Sequence, residues 1–77
     1  MHYVYILKDN KTRNLYYGYT NNLERRIQEH GNKNKSYELI YYEAYKSELD
    51  VRNRERRLKY YAQALSALKV RLKESLK

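Results

Sequence analysis

Several residue types are missing or scarce in this chain of 77 residues, and each absence excludes a class of protein. There is no cysteine, which excludes disulfides, thiolate nucleophiles and metal centres with cysteine ligands. There is no proline and there are only two glycines, so no segment has the composition of a linker. The longest apolar run, residues 3–7, is far shorter than the ~20 residues of a membrane-spanning helix. We therefore expect a soluble, cytoplasmic protein with no membrane partner.

All aromatic side chains are tyrosines. The sequence has 11 tyrosines and neither phenylalanine nor tryptophan, so every ring carries a hydroxyl that needs a partner or solvent when the ring is buried. Two separate cores would leave each half below about 40 residues, where chains usually need cross-links to fold. We therefore expect one domain, residues 1–77, with tyrosine in its core and some hydroxyls in a polar site.

Positive charge is concentrated in the last third of the chain. The net charge is +8, from 17 lysine and arginine against 9 aspartate and glutamate residues. Residues 52–77 contain nine of the cations and only Glu55 and Glu74 as acids, a balance of +7. Such a field favours a polyanion, with nucleic acid ahead of an anionic membrane surface. The alternative is a solvated helix face that keeps the protein soluble.

The first 45 residues alternate between strand and helix patterns. Segments rich in tyrosine and β-branched residues predict strands at residues 3–7, 15–20 and 37–45, the first two joined as a hairpin. Between the second and third strands, a cap at Thr20 or Asn21 predicts a short helix that runs to His30 and ends at Gly31.

The rest of the chain has helical composition from Ser47 onwards. At 100° per residue one apolar stripe forms, and it predicts one amphipathic helix or two helices that break near Tyr60. The stripe consists of Val51, Leu58, Ala62, Leu65, Leu72 and Leu76. The predicted fold class is α/β (α+β): one small, mostly antiparallel sheet of three strands flanked by helices.

Two charged residues fall beside apolar helix faces. On the first helix, Arg26 lies next to the Leu23 and Ile27 stripe with His30 one turn on, while Arg25 points to solvent. A guanidinium and an imidazole placed together suit a phosphate group. The alternatives are that Arg26 pairs with Glu29 or Glu43, and that His30 caps the helix.

Glu55 poses the same question on the long helix, because it lies inside the apolar stripe between Val51 and Leu58. A carboxylate there needs a partner, since an unpaired buried charge costs several kcal/mol. Either an ion pair with Arg26 or a divalent cation such as Mg²⁺ satisfies this requirement.

Groups of residues in a particular order carry a family resemblance. Tyr3-Val4-Tyr5 is followed after ten residues by Tyr16-Tyr17-Gly18, then by the helix with Arg26 and His30, and much later by Arg54-Glu55. This set resembles the GIY-YIG nuclease superfamily, and more narrowly its small stand-alone bacterial members.

The resemblance implies a metal-dependent phosphodiesterase of the kind found in DNA repair, restriction and mobile-element endonucleases. It implies candidate catalytic roles for Tyr5, Tyr16, Arg26, His30 and Glu55. By this resemblance Tyr5 is expected to act as or through a general base, Arg26 to neutralise phosphoryl charge, and Tyr16 and His30 to have positioning or relay roles. Glu55 is the implied ligand of one Mg²⁺ or Mn²⁺ ion.

The cations of the last third are then expected to contact the backbone of nucleic acid, with DNA as the expected partner, without recognising its sequence. These residues are Arg52, Arg54, Arg56, Arg57, Lys59, Lys69, Arg71 and Lys73. We expect cleavage of low sequence specificity, or specificity supplied by a protein partner.

Two other functions remain open from the sequence. Many members place an asparagine after the glutamate helix, whereas this chain has none beyond Asn53. The second candidate is therefore a nucleic-acid-binding module that has the same scaffold and little or no catalytic activity. The third is a small basic RNA-associated protein in which tyrosines stack on bases.

Overall fold

The structure is a computed structural model that describes residues 1–60 and 62–76, except for the side chain of Ala62. Its elements follow the predicted order: β1 (His2–Asp9), β2 (Leu15–Thr20), α1 (Leu23–Lys33), β3 (Tyr37–Tyr45), α2 (Glu48–Tyr60) and α3 (Ala62–Arg71). The strands form one antiparallel sheet in the order β2-β1-β3. The predicted fold class is confirmed. None of the helices within the described residues combines the length and hydropathy needed to cross a membrane.

The core lies between the sheet and the last two helices. Val4 and Ile6 alternate with tyrosines along the central strand β1 and pack against Val51, Leu58 and Leu68. Each of these five side chains is almost completely buried. Burial of an aliphatic side chain of this size contributes about 1.5–3 kcal/mol. The opposite face of β1, which carries Tyr3 and Tyr5, is left for α1 and the polar side chains around it.

The predicted apolar stripe is only partly correct. Leu68, which the single helical wheel did not include, is buried, whereas Leu65, Leu72 and Leu76 are half-buried. Ala62 was also predicted to belong to this stripe, but its side chain is not among those that the structure describes. The prediction assumed about 100° per residue along one continuous helix. Because α2 and α3 are separate helices, residue angles counted from α2 do not identify the buried face of α3.

Helix α1 begins and ends later than the sequence predicts. Its N-cap is Asn22, whose side chain accepts a hydrogen bond from the backbone N–H of Arg25 at 3.1 Å. The helix continues through Gly31, because glycine adopts ordinary helical backbone angles as well as the left-handed ones that end helices. Asn34 caps the C-terminus instead, with its N–H bonded to the carbonyl of His30 at 2.9 Å.

A charged network fixes α2 to the third strand. Arg54 of α2 donates from Nε and Nη2 to the two carboxylate oxygens of Glu43 on β3, at 2.9 and 3.0 Å. The hydroxyls of Tyr41 and Tyr45 donate to the same oxygens, each at 2.5 Å. The Glu43 carboxylate thus accepts four hydrogen bonds, and a bidentate guanidinium is the strongest kind of partner for it.

The pKa values reflect this network. Burial raises the pKa of Glu43, but hydrogen bonds from Arg54, Tyr41 and Tyr45 outweigh burial, so the pKa lies below its ordinary value. Burial and donation to Glu43 raise the pKa of Tyr45 to about 12. Glu43 is therefore ionised and its tyrosine donors are protonated across the physiological range.

We expect Glu43→Gln to destabilise the protein by about 2 kcal/mol at neutral pH, because it leaves the half-buried guanidinium of Arg54 without its counter-charge. The folded-state pKa of Glu43 lies below the unfolded value of about 4.3. Its contribution is therefore complete above that value and is lost as the pH falls through the folded pKa. Urea unfolding at pH 7 and pH 3 measures both effects.

The matched control is Glu38→Gln, since Glu38 is exposed on the same strand and its carboxylate accepts a hydrogen bond from the exposed Asn10 side chain at 3.3 Å. This variant should remain within about 0.5 kcal/mol of the parent. Equal destabilisation by the two substitutions would show that the network does not stabilise the fold.

Candidate active site

One cleft brings the five candidate catalytic residues together. It wraps around the edge strand β2 and has a volume of about 320 Å³. Strands β1 and β2 and helices α1 and α2 all contribute to its lining, which consists of Tyr5, Tyr16, Tyr17, Gly18, Tyr19, Arg26, His30, Glu55 and Lys59. Tyr5 and Lys59, 54 positions apart in sequence, therefore border the same space.

A larger cavity of about 610 Å³ lies between α1 and the sheet, next to Tyr3, Leu23 and Tyr42. Glu24 is the only ionisable residue in its lining apart from tyrosines, and none of the candidate catalytic residues borders it. We therefore place the site in the smaller cleft, where acid, base and cation occur together.

Tyr5 is at the centre of the cleft's hydrogen bonds. Its side chain is only 3% exposed, and its hydroxyl oxygen lies 2.9 Å from Nε2 of His30. Arg26 donates from Nε to the same oxygen at 3.3 Å. Because Arg26 can only donate, the proton of the Tyr5 hydroxyl is free to point towards His30.

His30 is suited to accept that proton. Burial lowers its pKa, and the nearby charges of Arg26 and Lys33 lower it further, against a smaller opposite effect of Glu29. The imidazole is therefore neutral at pH 7, and its Nε2 is available as an acceptor. His30 thus binds a phenol in the cleft, which goes beyond the helix-capping alternative left open by the sequence.

Arg26 is more exposed than the helical wheel indicates. Its side chain is 44% exposed, because α1 buries none of its residues completely. Nη1 donates to Glu29 at 2.9 Å, so one of the predicted pairings occurs, whereas the predicted alternative partner Glu43 is bound by Arg54. The bonds to Tyr5 and Glu29 raise the pKa of Arg26, which remains a cation at the cleft mouth.

Glu55 lies on the opposite side of the cleft, on α2. Its side chain is 16% exposed, and Oε1 lies 3.1 Å from Nζ of Lys59 one helical turn on. The predicted ion pair with Arg26 is wrong for the described residues, because α1 and α2 lie on opposite faces of the sheet and Lys59 is closer along its own helix.

The carboxylate of Glu55 fits one kind of metal ion. Within residues 1–60 and 62–76 no group of three histidine, aspartate or glutamate side chains could hold a metal ion. Zinc sites need three or four such ligands, so the described residues do not form one. Mg²⁺ instead binds one or two carboxylates and completes its shell with water and substrate phosphate. Glu55 in an open cleft meets that requirement, provided that Lys59 releases it.

The predicted nucleic-acid contacts divide into two groups. Exposed cations are Arg52, Arg56, Arg57, Lys59, Lys69, Arg71 and Lys73. Arg54 differs, because its side chain is only 27% exposed and two of its nitrogens bind Glu43. For Arg54 the prediction is corrected: this side chain holds α2 in place rather than facing solvent.

Sequence analysis missed Tyr37, which does not line the cleft itself but contacts two residues that do. Tyr37 begins β3, and its ring lies edge-on to the rings of both Tyr16 and His30. No spacing in the sequence indicates this contact, because it depends on the packing of α1 against the sheet. Lys59 was predicted only as a backbone contact, although its i,i+4 spacing from Glu55 is visible in the sequence.

Gly18 is required by a close approach. It pairs with Tyr5 across the β1–β2 ladder, and a Cβ at position 18 would lie 2.6 Å from Cζ and 3.1 Å from Cε1 of the Tyr5 ring. Real side chains do not approach that closely, and the buried ring has little space in which to move. The absence of a side chain at Gly18 lets the phenol cross the edge strand into the cleft.

We expect Gly18→Ala to displace the Tyr5 ring from His30 and to destabilise the protein by about 1–3 kcal/mol. The matched control is Gly31→Ala in α1, where an added Cβ meets nothing within 4 Å. That change should stabilise the protein by about 0.5–1 kcal/mol, since alanine favours helix. Thermal unfolding of both variants measures the difference, and a Gly18→Ala variant as stable as the parent would contradict the close approach.

Comparison with known proteins identifies the family of this chain. The family model of the GIY-YIG catalytic domain matches residues 1–69. A UPF0213 protein of Clostridium perfringens (strain 13 / Type A) is 39% identical over 74 residues, which cover 86% of this chain and 74% of that protein. No solved structure matches the chain at a significant level. The match over most of the chain, together with the motif order and the three-stranded fold, shows that this protein is a small member of the GIY-YIG nuclease superfamily.

Proposed function

We propose that the protein is a divalent-metal-dependent endonuclease that hydrolyses phosphodiester bonds of DNA with low sequence specificity. Membership of a nuclease superfamily implies a nucleic-acid substrate. The observation that carries the proposal is the shared cleft, in which Tyr5, His30, Arg26, Tyr16 and Glu55 border one open space. A general base, a phosphate-binding cation and a carboxylate for a metal are the groups that such hydrolysis requires.

The base in this proposal is the pair of Tyr5 and His30. A water loses its proton to the Tyr5 oxygen while the phenol proton passes to Nε2 of His30, which is neutral and 2.9 Å away. Arg26 donates to the same oxygen and stabilises negative charge that develops on it. The hydroxide attacks phosphorus and forms the new P–O bond, and the bond from phosphorus to the 3′-side oxygen breaks; that oxygen leaves with the bonding electron pair and takes a proton from solvent.

The substrate phosphate is held by groups at the cleft mouth. Arg26 remains partly exposed, and its guanidinium has further N–H groups beyond those bound to Tyr5 and Glu29. Tyr16 is 41% exposed on β2 and offers a hydroxyl on the same side. In the transition state these donors face the oxygens on which charge accumulates.

Glu55 would hold the Mg²⁺ or Mn²⁺ ion. When bound, such an ion supplies a Lewis acid for the leaving oxygen. In the free protein Lys59 neutralises the carboxylate, and its flexible side chain can transfer to a phosphate once Glu55 binds a cation.

The contact between Glu55 and Lys59 also favours the second candidate function. If Lys59 keeps the carboxylate at cellular metal concentrations, the protein binds nucleic acid through its exposed cations without cutting it. The two functions therefore differ in the role of Glu55. In the nuclease Glu55 is required for cleavage, whereas in the binding module it has only a structural role in α2.

We expect supercoiled plasmid to be nicked in the presence of Mg²⁺ or Mn²⁺, and Glu55→Gln to reduce the rate at least about 100-fold. EDTA should have the same effect, and DNA binding by Glu55→Gln in EDTA should remain. Gel electrophoresis follows the nicked circle. Nicking that persists in Glu55→Gln would contradict the assigned role, and binding without nicking in the parent protein would establish the second candidate function.

Substitution of Arg26 can be tested in the same assay, with the neighbouring Arg25 as its matched control. Both are arginines of α1 that pair with Glu29, but only Arg26 contacts Tyr5. We expect Arg26→Lys to slow nicking by about 10²-fold or more, because lysine lacks the guanidinium fork, and Arg25→Lys to change it less than about threefold. Similar losses in the two variants would indicate a general charge effect.

We expect the affinity for duplex DNA, measured in EDTA, to fall as the salt concentration rises. On a plot of log affinity against log salt concentration, each phosphate contact should contribute about −0.9 to the slope. The double variant Arg56→Gln, Arg57→Gln should reduce this slope by about 1–2. Lys11 is an exposed cation of the β1–β2 turn outside the cleft, and Lys11→Gln should leave the slope unchanged. Fluorescence anisotropy at several salt concentrations gives the slopes, and a flat response would argue against backbone contacts.

A further inference from the structure

Tyr37 contacts two of the candidate catalytic groups at once. Its ring centroid lies 5.0 Å from that of Tyr16, with an interplanar angle of 64°, and 5.9 Å from that of His30, with an angle of 80°. Both are edge-to-face arrangements, which aromatic rings favour. Tyr16 comes from β2 and His30 from α1, so the ring of Tyr37 joins the two elements on either side of the cleft.

The Tyr37 hydroxyl adds a polar contact to this ring packing. Its hydrogen bond with Tyr16 raises the pKa of Tyr37 above the ordinary tyrosine value, while a hydrogen bond with Asn34 acts in the opposite sense. Tyr37 is therefore joined to Tyr16 through its hydroxyl as well as through its ring.

Tyr37 is itself firmly placed. Its backbone N–H bonds to the carbonyl of Asn34 at 3.2 Å, and it pairs with Asp9 in the β1–β3 ladder. Asp9 accepts from the Asn34 side chain at 3.0 Å and from the backbone N–H of Lys11 at 2.9 Å. The loop before β3 and the β1–β2 turn are thereby tied together next to Tyr37.

We infer that Tyr37 is a positioning residue of the cleft: its ring holds the His30 imidazole against Tyr5, and its contact with Tyr16 holds the Tyr16 side chain at the cleft. This inference rests on the proposed function for its catalytic consequence, but the two contacts can be measured in the free protein. The ring and the hydroxyl have separate tasks, so removing them one at a time separates the effects.

Tyr37→Phe keeps the ring and removes the hydroxyl. We expect the pKa of His30 to remain unchanged in an NMR titration of the metal-free protein, with His2 distinguished by a His2→Gln variant. Binding of a 20-base-pair DNA duplex in EDTA should weaken about three- to tenfold, which is the effect of one lost hydrogen bond, because the Tyr16 hydroxyl is no longer held by Tyr37.

Tyr37→Leu removes both groups. We expect the pKa of His30 to shift upwards, since water replaces the ring that covers the imidazole. The groups that face His30 otherwise stay in place: Tyr5 from β1, and Arg26, Glu29 and Lys33 from α1. Nicking by this variant should fall further than nicking by Tyr37→Phe, through a lower kcat as well as a higher KM.

Tyr42 provides matched controls on the same strand. Its ring lies edge-on to Tyr3 at 6.2 Å, and it does not border the cleft. Tyr42→Phe and Tyr42→Leu should leave the His30 pKa, duplex binding and nicking as in the parent. Thermal unfolding identifies any variant that does not fold. If Tyr37→Leu does not fold, duplex binding by Tyr37→Phe alone tests the inference.

The inference is overturned by an unchanged His30 pKa in a folded Tyr37→Leu variant, or by unchanged duplex binding in Tyr37→Phe. Effects of the same size in the Tyr42 variants would overturn it as well. If the variants show both the higher His30 pKa and the weaker duplex binding while the parent protein never nicks DNA, the positioning role is supported and the proposed hydrolysis is contradicted.

Discussion

The close approach between Tyr5 and Gly18 is the constraint on which the cleft depends. Tyr5 belongs to the central strand, where its neighbours Val4 and Ile6 fix the backbone in the core. Its phenol reaches the edge of the sheet only because the paired residue on β2 has no side chain. The contacts with His30 and Arg26 follow from that reach. The packing of the core thus also fixes the position of the phenol at the cleft.

Adjacent residues of α2 connect the two sides of the sheet. Arg54 binds Glu43 on β3, at one edge, and Glu55 borders the cleft next to β2, at the other edge. Successive residues on a helix point about 100° apart, so one turn of α2 can serve both edges. Because the bond to Glu43 is bidentate, it restricts rotation as well as sliding of the helix. The position of Glu55 therefore depends on an ion pair that contributes nothing to the cleft itself.

The sequence predicted the order of all six elements, the bounds of β2 and β3, and the grouping of Tyr5, Tyr16, Arg26, His30 and Glu55. Local patterns and motif spacing were sufficient there. It did not predict Leu68, Tyr37 or the bond between Arg54 and Glu43. Each of these depends on the angle at which one element packs on another, which helical wheels and strand alternation do not contain. Gly31 was misassigned because glycine fits a helix as well as its end.

The unusual tyrosine content has a physical explanation in two polar networks on opposite faces of the sheet. On the face of α2, the hydroxyls of Tyr41 and Tyr45 bind the carboxylate of Glu43. On the face of α1, the hydroxyls of Tyr5, Tyr16 and Tyr37 form hydrogen bonds around the cleft. A phenylalanine at any of these positions would fill the same space but leave a carboxylate, an imidazole or a phenol without its partner. The rings supply the apolar area that a small domain needs, and the hydroxyls supply the donors that its charged groups require.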